Sequence, residues 1–477
     1  MAPEDKREAM LWGGRFDRSP APEMLRLTRS IDVDIRLLQA DIRSTKAHAR
    51  VLAAAGLLDP DGVETIQHAC DEILSDYERG ECAPQELDED VHSFVERELT
   101  VRAGDLGARI HAGRSRNDLV AADLRMWCKG AATSLHARAT TVLGAFARRA
   151  QEGTDAAMPG YTHLQRAQSV PLAYPLLAHG FALARDLARF EAAWNAADRS
   201  VLGAGAMAGT TLPLDPSVGA AHLAFGSVFD NAMDAVSDRD FVCDLLYAIS
   251  VCGVHLSRIA EEIVLWTTSE FAFARLPDEW STGSSMMPHK RNPDLAELVR
   301  ARTAGGIGDL TGMLSLLKGL PLSYNRDLQE DKEFVFRAVD RLMGSLQAAA
   351  NLVGSIEFDV RTTESAASNT GAWATELAES LVARGVAFRD AHFAVGRLVA
   401  GLESRGVGLA DATEEDLRTA HPLLRFADVA FADPRRGIEA RATHGGTTRA
   451  EIGRQIQTLR RAEAAAARWR ADVDRPT

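Results

Sequence analysis

The feature that most constrains this chain is a long apolar stripe in its middle. Apolar residues recur there in steps that alternate between four and three, at Phe241, Leu245, Ile249, Cys252, Leu256, Ile259, Ile263 and Trp266. An α-helix turns once every ~3.6 residues, so this spacing places all of these side chains on one face. The stripe therefore predicts a single helix on the order of 40 Å long, and a helix of that length does not fit an ordinary compact monomer.

Other segments have the same periodicity or the composition of long helices, and convincing strand alternation is scarce. The long candidates run over residues 118–152, 172–197, 293–317 and 335–353. Several helices of this length fit an elongated bundle that packs against copies of itself. The sequence thus predicts a mainly α protein, and an irregular helical monomer is the alternative.

Three zones follow from this reading of the chain. Residues 114–363 hold the long helices and are the expected oligomer core. Two smaller helical domains, 1–113 and 364–477, mix short helices with Gly- and Pro-bearing turns and are expected to flank the bundle.

Composition narrows the function classes. The formal net charge of −13 argues against non-specific nucleic-acid binding. The five cysteines are widely spaced without a metal-ligand pattern, as expected of buried thiols in a reducing compartment. Neither a signal peptide nor a membrane span is evident, so a cytoplasmic protein is expected.

The segment Ser281–Asp294 carries the most suggestive chemistry. Its small residues and Gly283 oppose a helix and predict a mobile loop, with Ser284, Ser285 and Lys290 on it. A hydroxyl on a mobile loop with an ammonium nearby suits a catalytic base. A surface linker that happens to contain serine and lysine is the alternative.

Three other polar segments precede long helices, where free N–H groups and the helix dipole favour anions. They are His111–Asp118, Met158–Gln165 with His163, and Tyr324–Lys332. The alternatives are a well-capped helix start, a core histidine and a solvated helix face, respectively. We expect helix tips from neighbouring chains to bring these segments together around a tri-anionic substrate. The spacing of Gly203–Gly209 does not fit a dinucleotide loop, and no metal site or cofactor is predicted.

These segments resemble the aspartase/fumarase superfamily and, within it, the argininosuccinate lyases, along essentially the whole chain. The segments that carry the resemblance are Leu11–Phe16, Ser115–Asp118, Gly160–Gln165, Ala208–Thr211, Gly283–Asp294 and Tyr324–Lys332. His289 and Arg291 depart from the usual Gln and Lys and are closer to adenylosuccinate lyase, the nearest rival. Ser115–Asp118 favours the argininosuccinate lyases. A structural protein such as the lens crystallins recruited from this family is a rival of another class.

The resemblance implies a β-elimination that splits argininosuccinate into arginine and fumarate, the last step of arginine biosynthesis. It implies that Ser284 is the base, that Lys290 stabilises the carbanion, that His163 is the general acid and that Glu297 orients His163 from another subunit. It also implies a homotetramer whose active sites are shared between subunits. The implied substrate-binding residues are Ser30, Asn117, Thr162, Asn292, Tyr324, Gln329 and Lys332, with Asp90, His92, Arg116 and Arg239 as weaker candidates.

Overall fold

The chain is described from a computed structural model, which covers residues 21–368 and 371–474. The segment Leu11–Phe16, which contributes to the resemblance, lies outside the described residues. The described part is mainly helical, as the sequence predicts, and its few strands form short two-stranded pairs.

Short helices form the N-terminal region. They are α1 (Pro22–Thr28), α2 (Ile31–Asp34), α3 (Leu38–Ala54), α4 (Pro60–Arg79), α5 (Val91–Ala103) and α6 (Asp105–Arg109).

The central region holds the long helices, with two short helices between them. They are α7 (Arg116–Glu152), α8 (Ala173–Ala197), α9 (Pro216–His222), α10 (Ala232–Ser237), α11 (Asp240–Trp266), α12 (Asp294–Leu317) and α13 (Asp331–Ser355). The strands are β1 (Ala157–Thr162), β2 (Gln165–Pro171), β3 (Ala274–Arg275), β4 (Thr282–Gly283), β5 (Arg291–Asn292) and β6 (Glu357–Phe358), paired antiparallel as β1–β2, β3–β6 and β4–β5.

Short helices return in the C-terminal region, followed by one long helix. They are α14 (Val360–Ser368), α15 (Ala374–Ala383), α16 (Phe388–Glu403), α17 (Glu414–Ala420), α18 (Pro434–Ala440) and α19 (Arg449–Val473). Helices α15 and α16 have a hydrophobic core of their own, whereas α19 packs back against α7 and α8. The division of the chain at 113 and 363 stays a prediction.

The predicted stripe forms the inner face of α11. Its members are buried in one continuous core that α11 shares with α7, α8, α12 and α13. By length and composition alone α11 could cross a membrane, but its apolar face is buried within the bundle. The long-helix interpretation of the stripe is therefore confirmed.

A reciprocal N-terminal cap fixes the residue at which α7 begins. Ser115 Oγ accepts a hydrogen bond from Asn117 N at 3.2 Å, and Ser115 N donates to Asp118 Oδ1 at 2.9 Å. This reciprocal cap satisfies backbone groups that the first helical turn leaves free. Asp118 Oδ2 also accepts from the backbone of Gly203 and Gly205, so the glycine-rich loop is fastened to the start of α7.

The antiparallel helices give the bundle two distinct ends. At the cavity end, where α7, α11 and α13 begin, Arg239 Nε lies 2.6 Å from Asp331 Oδ2. At the hairpin end, where these helices finish and β1–β2 begins, Arg149 hydrogen-bonds to the carbonyl of Ile356. Helix α11 has 27 residues, so the two ends lie about 40 Å apart along it.

Candidate active site

A cavity of about 620 Å³ lies at the cavity end of the bundle. Its walls come from α1 and α2, the turn before α5, the start of α7 and the segment that leads into α13. Eight of the predicted substrate-binding residues line it: Ser30, Asp90, His92, Arg116, Asn117, Tyr324, Gln329 and Lys332. Segments that are separated by up to some three hundred positions in the sequence thus meet around one space.

Lys332 is the buried cation of this cavity. Its Nζ lies 2.9 Å from Asp331 Oδ1 and 3.9 Å from Asp34 Oδ1. Burial opposes the charge on Lys332, but the two carboxylates outweigh burial and raise its pKa. Lys332 is therefore held as a cation for an anionic ligand.

Arg239 does not line the cavity, unlike the other weaker candidates. Its side chain is buried behind the wall, where it pairs with Asp331. Because Asp331 in turn pairs with Lys332, Arg239 contacts the site only through these two residues. The structure thus places Arg239 beside the cavity residues and not among them, and its role in substrate binding stays a prediction.

Glu89 joins two arginines on another wall. Arg116 Nη1 lies 3.2 Å from Glu89 Oε2 and 3.4 Å from Asp90 Oδ2, and Arg326 pairs with Glu89 Oε1. Arg326 Nη2 also donates to the carbonyl of Thr28 at 2.6 Å. Neither Glu89 nor Arg326 was singled out from the sequence, although each lies within or beside a segment that was.

Asn117 lies where the capped start of α7 meets the glycine-rich loop. Its side-chain Nδ2 donates to the carbonyl of Ala206 at 3.0 Å. The loop Gly203–Gly209, which does not fit a dinucleotide-binding pattern, therefore supports a cavity residue. Tyr324 lies on the opposite wall, directly after Ser323, whose φ of +75° is unusual for a residue with a side chain.

The segment with His163 is a β-hairpin and not an irregular loop. Thr162 pairs with Gln165, and the two residues between them, His163 and Leu164, have φ of +55° and +56°. Two left-handed residues at this position match the twist of the flanking strands, although Asn-Gly is the usual choice. The turn holds the exposed His163 at its tip, away from the protein core. The core-histidine alternative is therefore excluded.

The Gly283 loop is closed at its base by the β4–β5 pair and lies at the same end as the hairpin. Arg291 Nη1 lies 2.6 Å from Asp278 Oδ1, and its Nη2 donates to the carbonyl of Leu276 at 3.0 Å. Thr282 Oγ1 donates to Asp294 Oδ2 at 2.6 Å. Arg291 thus anchors the base of the loop, whereas the side chain of His289 is exposed.

Ser284 Oγ receives two backbone hydrogen bonds within this loop. The amides of Met286 and Met287 donate to it at 3.3 and 3.0 Å. Donors directed at this oxygen favour its ionised form, which is the form that a serine base requires. The side chain of Lys290 is exposed on the same loop. Asn292 lies on β5 and Glu297 on the first turn of α12.

The predicted residues therefore form two groups within one chain. The eight cavity residues lie at one end, and Thr162, His163 and the Gly283 loop lie at the other. Ring contacts connect the hairpin to the segment before β3: Tyr161 meets Phe271 edge to face, with ring centroids 5.6 Å apart, and Phe271 meets Phe273 in the same way. One chain alone does not unite the two groups.

Known proteins are similar to this chain along nearly its whole length. A family described as "Lyase" matches residues 14–306, and one described as "Argininosuccinate lyase C-terminal" matches residues 372–439. The chain is 47% identical over 451 residues to argininosuccinate lyase from Frankia casuarinae, which covers 94% of this chain and 97% of that protein. It is 46% identical over 463 residues to argininosuccinate lyase from Acidothermus cellulolyticus, which covers 96% of this chain and 95% of that protein.

The chain belongs to the argininosuccinate lyase family. It is therefore a lyase, and the resemblance found in the sequence is confirmed. Among solved structures, EDDS lyase in complex with formate is 24% identical with a TM-score of 0.82, over 95% of this chain and 92% of that one. Class II fumarase from Schistosoma mansoni is 14% identical with a TM-score of 0.72, over 90% and 94%. These two likenesses establish the fold of the family's wider superfamily.

Proposed function

We propose that this protein splits argininosuccinate into arginine and fumarate. The observation that carries the proposal is the convergence of eight sequence-selected residues on one cavity, in a chain of this family. The cavity offers the cations Lys332 and Arg116, which suit a ligand with several carboxylates. Its amide and hydroxyl groups suit the polar remainder of such a substrate.

The chemistry that we propose is a β-elimination. The ionised hydroxyl of Ser284 takes a proton from the carbon next to a carboxylate. The electron pair of the broken C–H bond stays on that carbon, and its negative charge spreads onto the carboxylate. The neighbouring carbon–nitrogen bond then breaks, and its electron pair leaves with the guanidine nitrogen. His163 supplies the proton for that nitrogen, and Lys290 stabilises the charge that develops in between.

The placement of these groups supports a site shared between subunits. Ser284 and His163 lie at the hairpin end, about 40 Å along α11 from the cavity of their own chain. A second copy that runs antiparallel to the first would bring its hairpin end to that cavity. We propose a homotetramer, in which Glu297 orients the His163 of another subunit.

Exposed apolar side chains on the long helices support such an assembly. Tyr247 and Val254 on α11, and Leu298, Ile307 and Leu314 on α12, are each more than a third exposed. Large apolar groups that recur along two adjacent helices are typical of a surface that another protein covers. A cytoplasmic location and a role in arginine biosynthesis complete the proposal.

The test is to measure fumarate release by ultraviolet absorbance from argininosuccinate and, separately, from adenylosuccinate. We expect turnover of the first substrate alone. Turnover of adenylosuccinate alone would assign the protein to the rival lyase. Correct folding with no turnover of either would favour a structural protein of the crystallin type.

A further inference from the structure

His92 is a buried imidazole at the wall of the cavity, and one of its two nitrogens is unaccounted for. Its Nε2 is buried and has no hydrogen-bond partner among residues 21–368 and 371–474. A buried polar atom left without a partner costs free energy, so its persistence calls for an explanation. Since His92 lines the cavity, a ligand there is the natural partner.

The opposite side of the imidazole is tightly held. Nδ1 hydrogen-bonds to Asp41 Oδ2 of α3 and lies 3.8 Å from Asp123 Oδ2 of α7. Ser44 Oγ donates to Asp123 Oδ1 at 2.6 Å, which fixes that carboxylate. Nδ1 and Nε2 lie on opposite sides of the ring, so anchoring Nδ1 between α3 and α7 directs Nε2 away from them.

The charges around His92 favour its protonated form. Burial lowers its pKa, but the hydrogen bond and charge of Asp41, with Asp90 and Asp123, raise the pKa to about 9. Burial and the charge of Asp41 raise the pKa of Asp123 itself, so Asp41 is the main anionic partner of the ring. Asp34 of α2 also faces the ring. The cations Arg116 of α7 and Lys332 of α13 line the same cavity, and burial together with nearby positive charges, that of His92 among them, lowers the pKa of His111.

A metal ion is the competing interpretation of this cluster. One ligand atom each of Asp41, His92 and Asp123 lies within 4.8 Å of the others. Their contacts favour proton sharing instead, because Nδ1 already hydrogen-bonds directly to Asp41 and leaves no room for an ion between them. Ser44 occupies Oδ1 of Asp123, whereas Oδ2 of Asp123 is buried and has no hydrogen-bond partner in the described part of the chain.

We propose that Asp41 and Asp123 are positioning residues that hold His92 as a cation, and that His92 Nε2 donates a hydrogen bond to a carboxylate of the substrate. The proposal rests on the proposed function and extends it. The family resemblance selects His92 alone, whereas the contacts give it a charge state, a donor atom and two supporting residues on other helices.

The experiment uses the full chain with Ser284→Ala as the parent, so that argininosuccinate binds without being consumed. Its affinity is measured by titration calorimetry at pH 8.5 and pH 6.0. We expect Asp41→Asn to weaken binding at pH 8.5 by about tenfold or more, the usual effect of losing a charge-assisted hydrogen bond. The loss is smaller at pH 6.0 than at pH 8.5, because a larger fraction of the imidazole is protonated at the lower pH. His92→Gln weakens binding at both pH values.

A double-mutant cycle separates positioning from folding. If Asp41 acts through His92, Asp41→Asn causes no further loss in a His92→Gln background. Asp123→Asn, which removes the second carboxylate, gives a smaller loss with the same pH trend, and it replaces Asp41→Asn if that variant does not fold. Asp186→Asn is the matched control, since Asp186 is buried and lies 2.7 Å from His255 Nδ1, outside the cavity walls.

The outcomes are distinct. The inference is overturned if Asp41→Asn lowers argininosuccinate affinity equally at the two pH values. It is also overturned if Asp41→Asn lowers affinity as much in the His92→Gln variant as in the parent, because Asp41 then has only a structural role. Affinity that falls when a chelator is added to the parent overturns it in favour of a metal ion. Failure of the parent to bind argininosuccinate contradicts the proposed function instead, whereas fumarate release by the parent would remove Ser284 from the role of base.

Discussion

The two ends of the bundle differ in how completely one chain builds them. At the cavity end, Lys332, Asp331 and Arg239 are nearly inaccessible to solvent and pair with one another. At the hairpin end, His163 and Lys290 are exposed, and the hydrogen bonds of Ser284 come from its own loop. A buried ion pair requires its partners to be in place on folding, whereas an exposed loop can adjust when a ligand or a second chain arrives.

The difference indicates a division of labour. Under the proposed function, the buried charges of the cavity end would bind the anionic substrate, and the hairpin end would carry the groups that transfer protons. Because the two ends of one chain lie far apart, substrate binding and proton transfer at any one site would draw on different copies.

Replacing Ser284, the proposed base, would remove catalysis at the hairpin end and leave ligand binding at the cavity end unchanged. We expect Ser284→Ala to lower kcat by about 10²–10⁴-fold or more, because the proton-transfer step loses its acceptor. Argininosuccinate affinity remains close to that of the unaltered protein. Ser285→Ala is the neighbouring control. Near-normal fumarate release by Ser284→Ala would remove this residue from the role of base.

Removing Arg239 would test the buried network at the cavity end. Arg239→Met leaves Asp331 buried with only Lys332 as its partner, so we expect a loss of about 3–5 kcal/mol in the free energy of unfolding. Chemical denaturation monitored by circular dichroism measures this loss. Arg418→Met, which breaks the exposed pair with Glu414, should cost about 1 kcal/mol or less. Equal losses in the free energy of unfolding would show that the buried pair contributes no more to stability than the exposed pair.

Mixing two inactive variants would test whether the ends meet between chains. Ser284→Ala disables the hairpin end and Lys332→Met the cavity end. After denaturation and joint refolding of equal amounts, we expect about a quarter of normal activity, because a site that draws each residue from a different chain receives both intact with that frequency. Each variant refolded alone serves as the control. No recovery in well-mixed oligomers would mean that one chain supplies both residues.

Relieving strain at the hairpin tip should have the smallest effect. Leu164 has φ of +56° and is 69% exposed. A left-handed conformation costs a residue with a side chain roughly 1–2 kcal/mol, and glycine adopts it freely but loses more entropy on folding. We expect Leu164→Gly to raise stability by about 1 kcal/mol or less, seen as a small rise in thermal midpoint. A clear fall would show that the leucine side chain itself stabilises the assembly.

The sequence predicted the helices better than the hairpin. The stripe on α11 is periodic enough to identify one helix and its inner face. The segment Met158–Gln165 was interpreted as a polar loop that precedes a long helix, and no strand was predicted in it. Its left-handed His163 and Leu164 are held by the pairing of β1 with β2, a longer-range contact that no local pattern of this segment reveals.

Site residues were predictable where a motif marks them and not where only packing does. Tyr324 and Gln329 belong to a recognisable segment, and they line the cavity as expected. Asp41 and Asp123 lie within ordinary helical stretches, and only the contact of α3, α5 and α7 brings them to His92. Arg239 is a different case, because the resemblance selected it as a weaker binding candidate, whereas its side chain is buried behind the cavity wall.

The lengths of the long helices limit where the chain can accept insertions. Helix α7 has 37 residues. If each site combines opposite ends of different chains, the length of α7 sets the distance between sites. Inserting two turns in the middle of α7 would lengthen it by about 10 Å and pull every pair of half-sites out of alignment at once. Insertions in the surface turns of the C-terminal region would leave that alignment intact, so these turns are the places where the chain can grow.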